Sequence, residues 1–531
     1  MREKGNKSME LTQEQKDIIN TVHNDEPIIK INAYAGTGKT TTLVEVVKEI
    51  RNTNPSCNIL YLVFNKLMAK EASNKFTGLN VQCYTAHAFA LKRICLAGTN
   101  VKVINGSDFT NEYFKLKNKK DDYKYVAYKK VKLLMDSFTS ERTEMDEFLE
   151  DVAELGLEGA SFKDNDLKFF REFYQTLIDK HWYTHGMYLK EYALHYNDII
   201  RGYDYILLDE AQDLNPFMMD IIKRVERKKL YVVGDNYQQI YAWNKAINSM
   251  QEYEGVTYPL SKSFRFNDEI REIADLILRT QKSYRESPVK ITNTHNDTYY
   301  DKSKVTYLFR TNAAMLETAI RIVISSKEKI KMHFMDMISG SETNGFDETF
   351  TEMLEFTKLM LDECYGNNSI AYLEFTSKFP IKSKTKNKTL QNYIKISKDE
   401  FYSSLYEYLL NNESILSLEY MRYWSIFKML GKNITKVLDR VRKAELATEY
   451  TKEYTLCTAH RAKGSEWEYV VVSPDKWDIE NTDENNLLYV ACTRAMRKLD
   501  YSGILNIIDY LKDEYGDIVC ESDYEIALDV N

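Results

Sequence analysis

Apolar residues fall in short blocks separated by polar punctuation. Four blocks read as buried strands: PIIKINAY, with Ile28, Ile29 and Ile31; Ile206 to Leu208; Leu230 to Val233; and KVTYLFRT at 304–311. Each is short and rich in β-branched or large apolar side chains. Elsewhere the period changes. TTTLVEVVKEIRN sets Leu43, Val46, Val47 and Ile50 at helical spacing, and SILSLEYMRYWSIFKMLGK is amphipathic. The alternation predicts an α/β fold. Polar residues where these strands end predict a ligand crevice beyond the carboxyl edge of a sheet.

The strand ends carry the chemistry. The first runs into Ala35, Gly36, Thr37, Gly38, Lys39, Thr40 and Thr41 before the helix begins. This resembles the phosphate-loop pattern GxxxxGKS/T, with Ala33 at the first glycine position. Gly36 and Gly38 let backbone N–H groups curl around an anion, and the helix N-terminus adds its positive dipole end. Lys39 can reach the β- and γ-phosphates of ATP, and the Thr40 hydroxyl can bind Mg²⁺. The second strand ends in Asp209, a candidate Mg²⁺ ligand, and Glu210, a candidate base for the attacking water. The blander readings are a flexible turn before one helix and an acidic cap before another; together the two motifs favour the nucleotide site. The third strand ends in Gly234 and Asp235, followed by Gln238, Tyr241 and Trp243. Those aromatics suit either a core or a platform for stacked bases.

At 531 residues the chain has room for roughly three or four domains. Seven cysteines include no CxxC pair, which argues against zinc ribbons and disulfide frameworks. His181 and His185 are four apart, but no third metal ligand is evident. No apolar run approaches the roughly 20 residues of a membrane span, and the N-terminal stretch lacks the apolar core of a signal peptide. The expectation is an intracellular protein with no membrane partner, in the cytoplasm or nucleoid, or in host cytoplasm if viral. The net charge of −8 leaves nucleic acid open, because a local basic groove is what binds phosphates.

Taken in order, further segments resemble the superfamily 1 DNA helicases of the UvrD, PcrA and Rep type, with wording nearest the F-box DNA helicase branch. LTQEQKDII at 11–19 resembles the adenine-reading motif, which implies Gln15 as the adenine contact. FNKLMAKEA at 64–72 resembles motif Ia, which implies strand contacts by Phe64, Asn65 and Lys66. YTAHAFA at 84–90 resembles motif Ib, with His87 near DNA. LSKSFRFNDEI at 260–270 resembles motif IV, which implies Phe264 stacked on adenine and Arg265 facing the γ-phosphate. TLCTAHRAKGSEWEYVVV at 455–472 resembles motif V, with His460 near DNA and Glu466 on the ribose. NNLLYVACTRAMRKL at 485–499 resembles motif VI, with Arg494 as a second arginine at the γ-phosphate.

The resemblance implies two RecA-like P-loop NTPase lobes with parallel sheets, each carrying an inserted accessory domain. Motif spacing gives lobe 1A as 1–95 and 196–258, insertion 1B as 96–195, lobe 2A as 259–325 and 448–531, and insertion 2B as 326–447. It implies an ATP- and Mg²⁺-dependent helicase or translocase on single-stranded DNA and duplex junctions, moving 3′ to 5′, in repair, recombination or replication. Gln238 would couple nucleotide to DNA, and Phe64, Tyr241 and Trp243 would stack on bases. Two other readings stay open: a translocase that strips proteins without unwinding, and a nucleotide-gated interaction module in signalling or defence. Insertion 2B is a candidate surface for a loading or regulatory protein. The basic run KLKNKKDDYKYVAYKKVK at 115–132 suits either phosphate contact or a solvated helix face, and a second, PIKSKTKNKTLQNYIKISK, lies at 380–398. Asn244 stands where the family has arginine after the motif III tryptophan, and motif Ia is one residue short; both bear on the DNA path.

Overall fold

The structure is a computed structural model, and it describes residues 10–63, 66–96, 101–104, 106–116, 124–157, 162–196, 198–240, 249–294, 299–326, 330–335, 345–360, 406–407, 409–411, 415–444 and 453–516. Eight strands come first: β1 (Ile28–Ala33), β2 (Ile59–Val63), β3 (Val81–Thr85), β4 (Lys102–Val103), β5 (Trp182–Tyr183), β6 (Tyr205–Leu208), β7 (Lys229–Gly234) and β8 (Val256–Leu260). β4 and β5 pair with each other. The remaining six form one parallel sheet in the order β3-β2-β6-β7-β1-β8.

Alternation along these strands splits the apolar residues between two faces. Leu60, Leu62, Ile206, Leu208, Leu230 and Val232 join one buried cluster, while Ile59, Tyr61, Val63, Leu207, Tyr231 and Val233 join another. Both faces are covered, as a parallel sheet requires. The second face is covered by the helices Gln13–Asn20 and Lys39–Thr53. The first is covered largely from the segment expected as insertion 1B: Phe109, Leu134, Phe148, Phe170 and Tyr188, each on a different helix, share its cluster. From the basic run at 115–132, Val131 is buried and Lys130 pairs with Asp166 at 3.0 Å; residues 117–123 lie outside the described set.

The chain leaves the first sheet at Leu260 and passes through β9 (Lys262–Ser263), which pairs with β10 (Thr292–Asn293). A second parallel sheet follows, built from β11 (Val305–Phe309), β12 (Met332–Phe334), β13 (Tyr454–Thr458), β14 (Trp467–Val472) and β15 (Ala495–Asp500), in the order β12-β13-β11-β14-β15. One face packs on the helices Asp268–Leu278, Thr482–Cys492 and Leu505–Tyr515. The other packs on Asn312–Ser325, Gly345–Met360, Ile415–Leu430 and Ile434–Ala444.

One boundary needs correction. β12 falls inside 326–447, the segment expected as insertion 2B, yet it is the edge strand of the second sheet. Three residues are too few to show a period, so its pairing with β13 is a tertiary choice that no local pattern announces. The run at 380–398 lies outside the described residues. Among the described residues, no helix is long and apolar enough to cross a membrane.

Candidate active site

In the first sheet β6, β7 and β1 are neighbours, so the residues just past Leu208, Gly234 and Ala33 meet beyond one carboxyl edge. Strand order therefore gathers the paired carboxylates, Asp235 and the glycine loop. In that loop Gly36 and Gly38 have φ of 76° and 81°. Gly38 caps the helix Lys39–Thr53, accepting from Thr42 N–H at 2.9 Å. The Thr37 hydroxyl donates to the Tyr34 carbonyl at 2.8 Å and steadies the curl. Thr40 is half-buried and Thr41 exposed in the first helical turn.

Lys39 Nζ lies 3.3 Å from Glu210 Oε1. Burial disfavours the ammonium, but Glu210, Asp235 and Asp209 around it outweigh that and raise its pKa. Asp209 accepts from the Tyr61 hydroxyl at 2.7 Å and from Glu210 N–H at 2.9 Å. Burial and the adjacent Glu210 raise its pKa. Glu210 has φ of 52°, a left-handed conformation that costs a non-glycine residue about 1 kcal/mol or more. That backbone leaves its carboxylate between Lys39 and Gln212, whose Nε2 donates to Oε2 at 2.6 Å. Burial opposes its charge, yet Lys39 and Lys463 hold its pKa down at about 2.

Groups from the second lobe close over this edge. Phe264 N–H donates to the Gly36 carbonyl at 2.9 Å. A Cβ on Gly36 would fall 2.5 Å from Arg265 Cβ, so this glycine is required by the crossing chain as well as by the loop's curvature. Arg265 donates to Glu466 at 2.8 Å and to the Thr493 carbonyl at 3.2 Å. Arg494 is 1% exposed and donates to the carbonyls of Val490 and Ser465. Burial, then the neighbouring charge of Arg265, lowers its pKa to about 9. Two guanidinium groups held this way repel each other, and an anion between them would relieve the repulsion.

Gln238 Nε2 donates to Asp235 at 2.8 Å, and the Gln238 carbonyl accepts from Lys463 at 2.7 Å. Lys463 also binds Asp213 and lies 3.8 Å from Glu210 Oε2. Burial raises Asp213 and Asp235 each to about 6.

On the other side of the loop, Gln15 closes a reciprocal cap with Thr12 and donates to the Thr42 hydroxyl at 3.1 Å. A Cβ on Gly38 would meet Gln15 Nε2 at 3.3 Å and the Phe264 ring at 3.8 Å. Gln15, Phe264 and the glycine loop therefore meet at one place. Glu466 lies at its mouth, half-exposed against Arg265.

The proposed DNA contacts are less complete. Phe64, Asn65, Tyr241 and Trp243 lie outside the described residues. Lys66 is exposed at the start of the helix Lys66–Lys75. His87 sits edge-on to His185, ring centroids 5.8 Å apart; burial and then that neighbour lower its pKa to about 4. His460 follows β13 and is lowered to about 4 by burial, Arg310 and Lys463. The sequence reading missed Lys463, Asp213, Gln212, Tyr61 and Tyr489. Lys463 and Tyr489 stood within quoted motifs, but nothing local showed that they reach across to the other sheet.

The residues present suit a magnesium nucleotide. The left-handed glycines and the helix N-terminus at Lys39 suit a phosphate, and the Thr40 hydroxyl and Asp209 carboxylate are the hard oxygen donors Mg²⁺ takes. Asp209 and Thr40 are the candidate holders of the ion.

The model of the UvrD/REP helicase N-terminal domain matches residues 11–255, and that of the UvrD-like helicase C-terminal domain matches 454–499. F-box DNA helicase protein 1 of Schizosaccharomyces pombe is 26% identical over 545 residues, covering 92% of this chain and 57% of that protein. F-box DNA helicase 1 of Gallus gallus is 26% identical, covering 96% and 50%. A probable DNA helicase II homolog of Mycoplasma pneumoniae is 22% identical, covering 88% and 80%. The chain thus spans about half the length of the two F-box relatives. The two matched regions contain the glycine loop, Asp209, Glu210, Gln238 and Arg494. The chain belongs to the UvrD/REP family of superfamily 1 helicases.

Proposed function

We propose that this chain is an ATP-dependent DNA helicase or translocase acting on single-stranded DNA and duplex junctions, built as two RecA-like lobes. One observation carries the reading: the glycine loop and paired carboxylates of the first sheet face Arg265, just past β9, and Arg494 and Lys463 from the loops of the second sheet. Phosphoryl transfer needs that combination of positioning and charge neutralisation more than covalent chemistry.

In this reading Lys39 neutralises the β- and γ-phosphates, and Glu210, ionised at any ordinary pH, takes a proton from water. Arg265 and Arg494 stabilise charge as it develops on the γ-phosphate. Mg²⁺, when bound by Asp209 and Thr40, neutralises phosphate charge. Gln15 and Phe264 hold adenine, and Glu466 the ribose. Gln238 lies in a chain running from Glu210 through Gln212 and Asp235, which supports a coupling role. Phe64, Tyr241 and Trp243 would stack on bases, with Asn65, Lys66, His87 and His460 along the strand. Movement 3′ to 5′, a role in repair, recombination or replication, and a protein partner at 326–447 rest on the family resemblance.

ATP hydrolysis with and without single-stranded DNA, with Lys39→Ala as control, tests the reading. Strong stimulation by DNA, lost in the variant, is the expected result, and tailed duplexes would then give polarity. Turnover indifferent to DNA would overturn it.

A further inference from the structure

Tyr489 is fully buried on the helix Thr482–Cys492, and its hydroxyl reaches the other lobe. It accepts the Ala35 N–H of the glycine loop at 3.1 Å and lies 3.5 Å from Asp235 Oδ2. A phenol has one proton and acceptor lone pairs, so it can accept from the amide and donate to the carboxylate at once. Asp235 is in turn bonded to Gln238 through Oδ2, and through its N–H to Gln212, which donates to Glu210. On its own helix, the Tyr489 carbonyl accepts from Thr493 N–H at 3.0 Å and from the Thr493 hydroxyl at 2.8 Å. Arg494 follows directly and is bonded to Val490.

The preceding loop residue is itself a tyrosine, held from the second lobe. Tyr34 stacks on Tyr237, centroids 5.8 Å apart and nearly coplanar in orientation, and meets Tyr284 edge-on at 5.9 Å. Its hydroxyl donates to the Val289 carbonyl at 2.7 Å. Residues 34 and 35, at the entry to the glycine loop, are thus each held from the second lobe. Opening the cleft by even a few ångströms would break both bonds, because neither hydrogen bond survives much beyond 3.5 Å.

Resting on the proposed ATPase reading, we propose that Tyr489 is a positioning residue for hydrolysis: its hydroxyl ties the entry of the phosphate loop to the helix whose C-terminal end leads into Arg494, so that loop geometry and arginine approach are set together by lobe closure. Tyr489 touches neither reacting group in this role. It acts through Ala35, Asp235 and Thr493.

Tyr489→Phe in the full chain keeps the ring and removes the bonds. The DNA-stimulated kcat is expected to fall about tenfold or more while KM for ATP changes less than about threefold. Tyr34→Phe should give a smaller change in the same direction. Tyr423→Phe, which loses a buried hydroxyl's bond to Glu352 far from the cleft, controls for a general loss of stability and should leave kcat unchanged. Hydrogen exchange gives a readout that does not depend on turnover: amides in a peptide covering 33–38 should exchange faster in Tyr489→Phe than in Tyr423→Phe. An unchanged kcat in Tyr489→Phe, or an equal fall in Tyr423→Phe, would overturn the proposal. A wild-type chain with no ATP turnover would instead overturn the ATPase reading. The exchange comparison would then decide this inference, unchanged exchange at 33–38 counting against it.

Discussion

Lys463 Nζ, on the second lobe, stands 2.7 Å from the carbonyl oxygen of Gln238, on the first. The same ammonium binds Asp213, which is 1% exposed, and approaches Glu210. Lys463→Met would leave a buried carboxylate without its cation, a loss of roughly 3–5 kcal/mol when one partner of a buried pair is removed. The expected result is a melting temperature lower by several degrees and ATP turnover lower by at least tenfold, with partial recovery in Lys463→Arg. A Met variant equal to wild type in both would show that the bridge contributes nothing.

Glu210→Gln retains the shape of the side chain and its bond to Gln212 but removes the base. Binding of a fluorescent ATP analogue should stay within a few-fold, while turnover falls by roughly 10²–10⁴. Normal turnover in this variant would assign water activation to another group.

Gly36 and Gly78 both have positive φ, 76° and 81°. A Cβ on Gly78 meets nothing within 4 Å, whereas one on Gly36 meets Arg265 and Ser263 at 2.5 and 2.6 Å. Gly78→Ala should therefore lower stability by about 1 kcal/mol, the left-handed cost alone, and leave hydrolysis intact. Gly36→Ala should abolish ATP turnover by forcing the crossing chain off the loop. Denaturant unfolding and steady-state hydrolysis on the pair separate backbone strain from collision.

His460 provides a test of pH dependence. Its folded pKa of about 4 lies below the ordinary 6.5, chiefly through burial. The folded state then binds fewer protons than the unfolded one between these values. Its contribution to stability is present above pH 6.5 and is lost as pH falls toward 4. Asp213 and Asp235, raised to about 6, have the opposite sign: their contribution is present below 3.8 and lost as pH rises through 6. Because the terms oppose, the measurement is a difference. Relative to wild type, His460→Gln should gain about 1–2 kcal/mol as pH drops from 7 to 5. A constant difference across that range would remove the assignment.

Much of the first sheet was legible because burial on both faces leaves β6 and most of β7 apolar, β1 keeps Ile29, Ile31 and Ala33 on its buried side, and the glycine loop follows β1. Lys39, Asp209 and Glu210 stood at strand ends, where the fold delivers them to one edge. Tyr489 and Lys463 were not legible as bridging groups. Their partners lie 454 and 250 residues away, and a helix-borne tyrosine has no local mark of which sheet its hydroxyl meets. The helices between residues 96 and 195 looked separable because motif spacing counts residues but not faces. Phe170 and Tyr188 pack on the same side of the first sheet as Leu60 and Ile206.

The bond from Phe264 N–H to the Gly36 carbonyl also constrains how force is carried. The polypeptide passes from the first sheet toward the second alongside the phosphate loop, so in the proposed motor any rotation of the second lobe would turn about an axis near the nucleotide site. Displacement grows with distance from an axis. Movement would then be smaller at the chain crossing beside Gly36 than at the far rim of the lobes. The stride along a nucleic-acid strand would be set by how far from this pivot the strand runs.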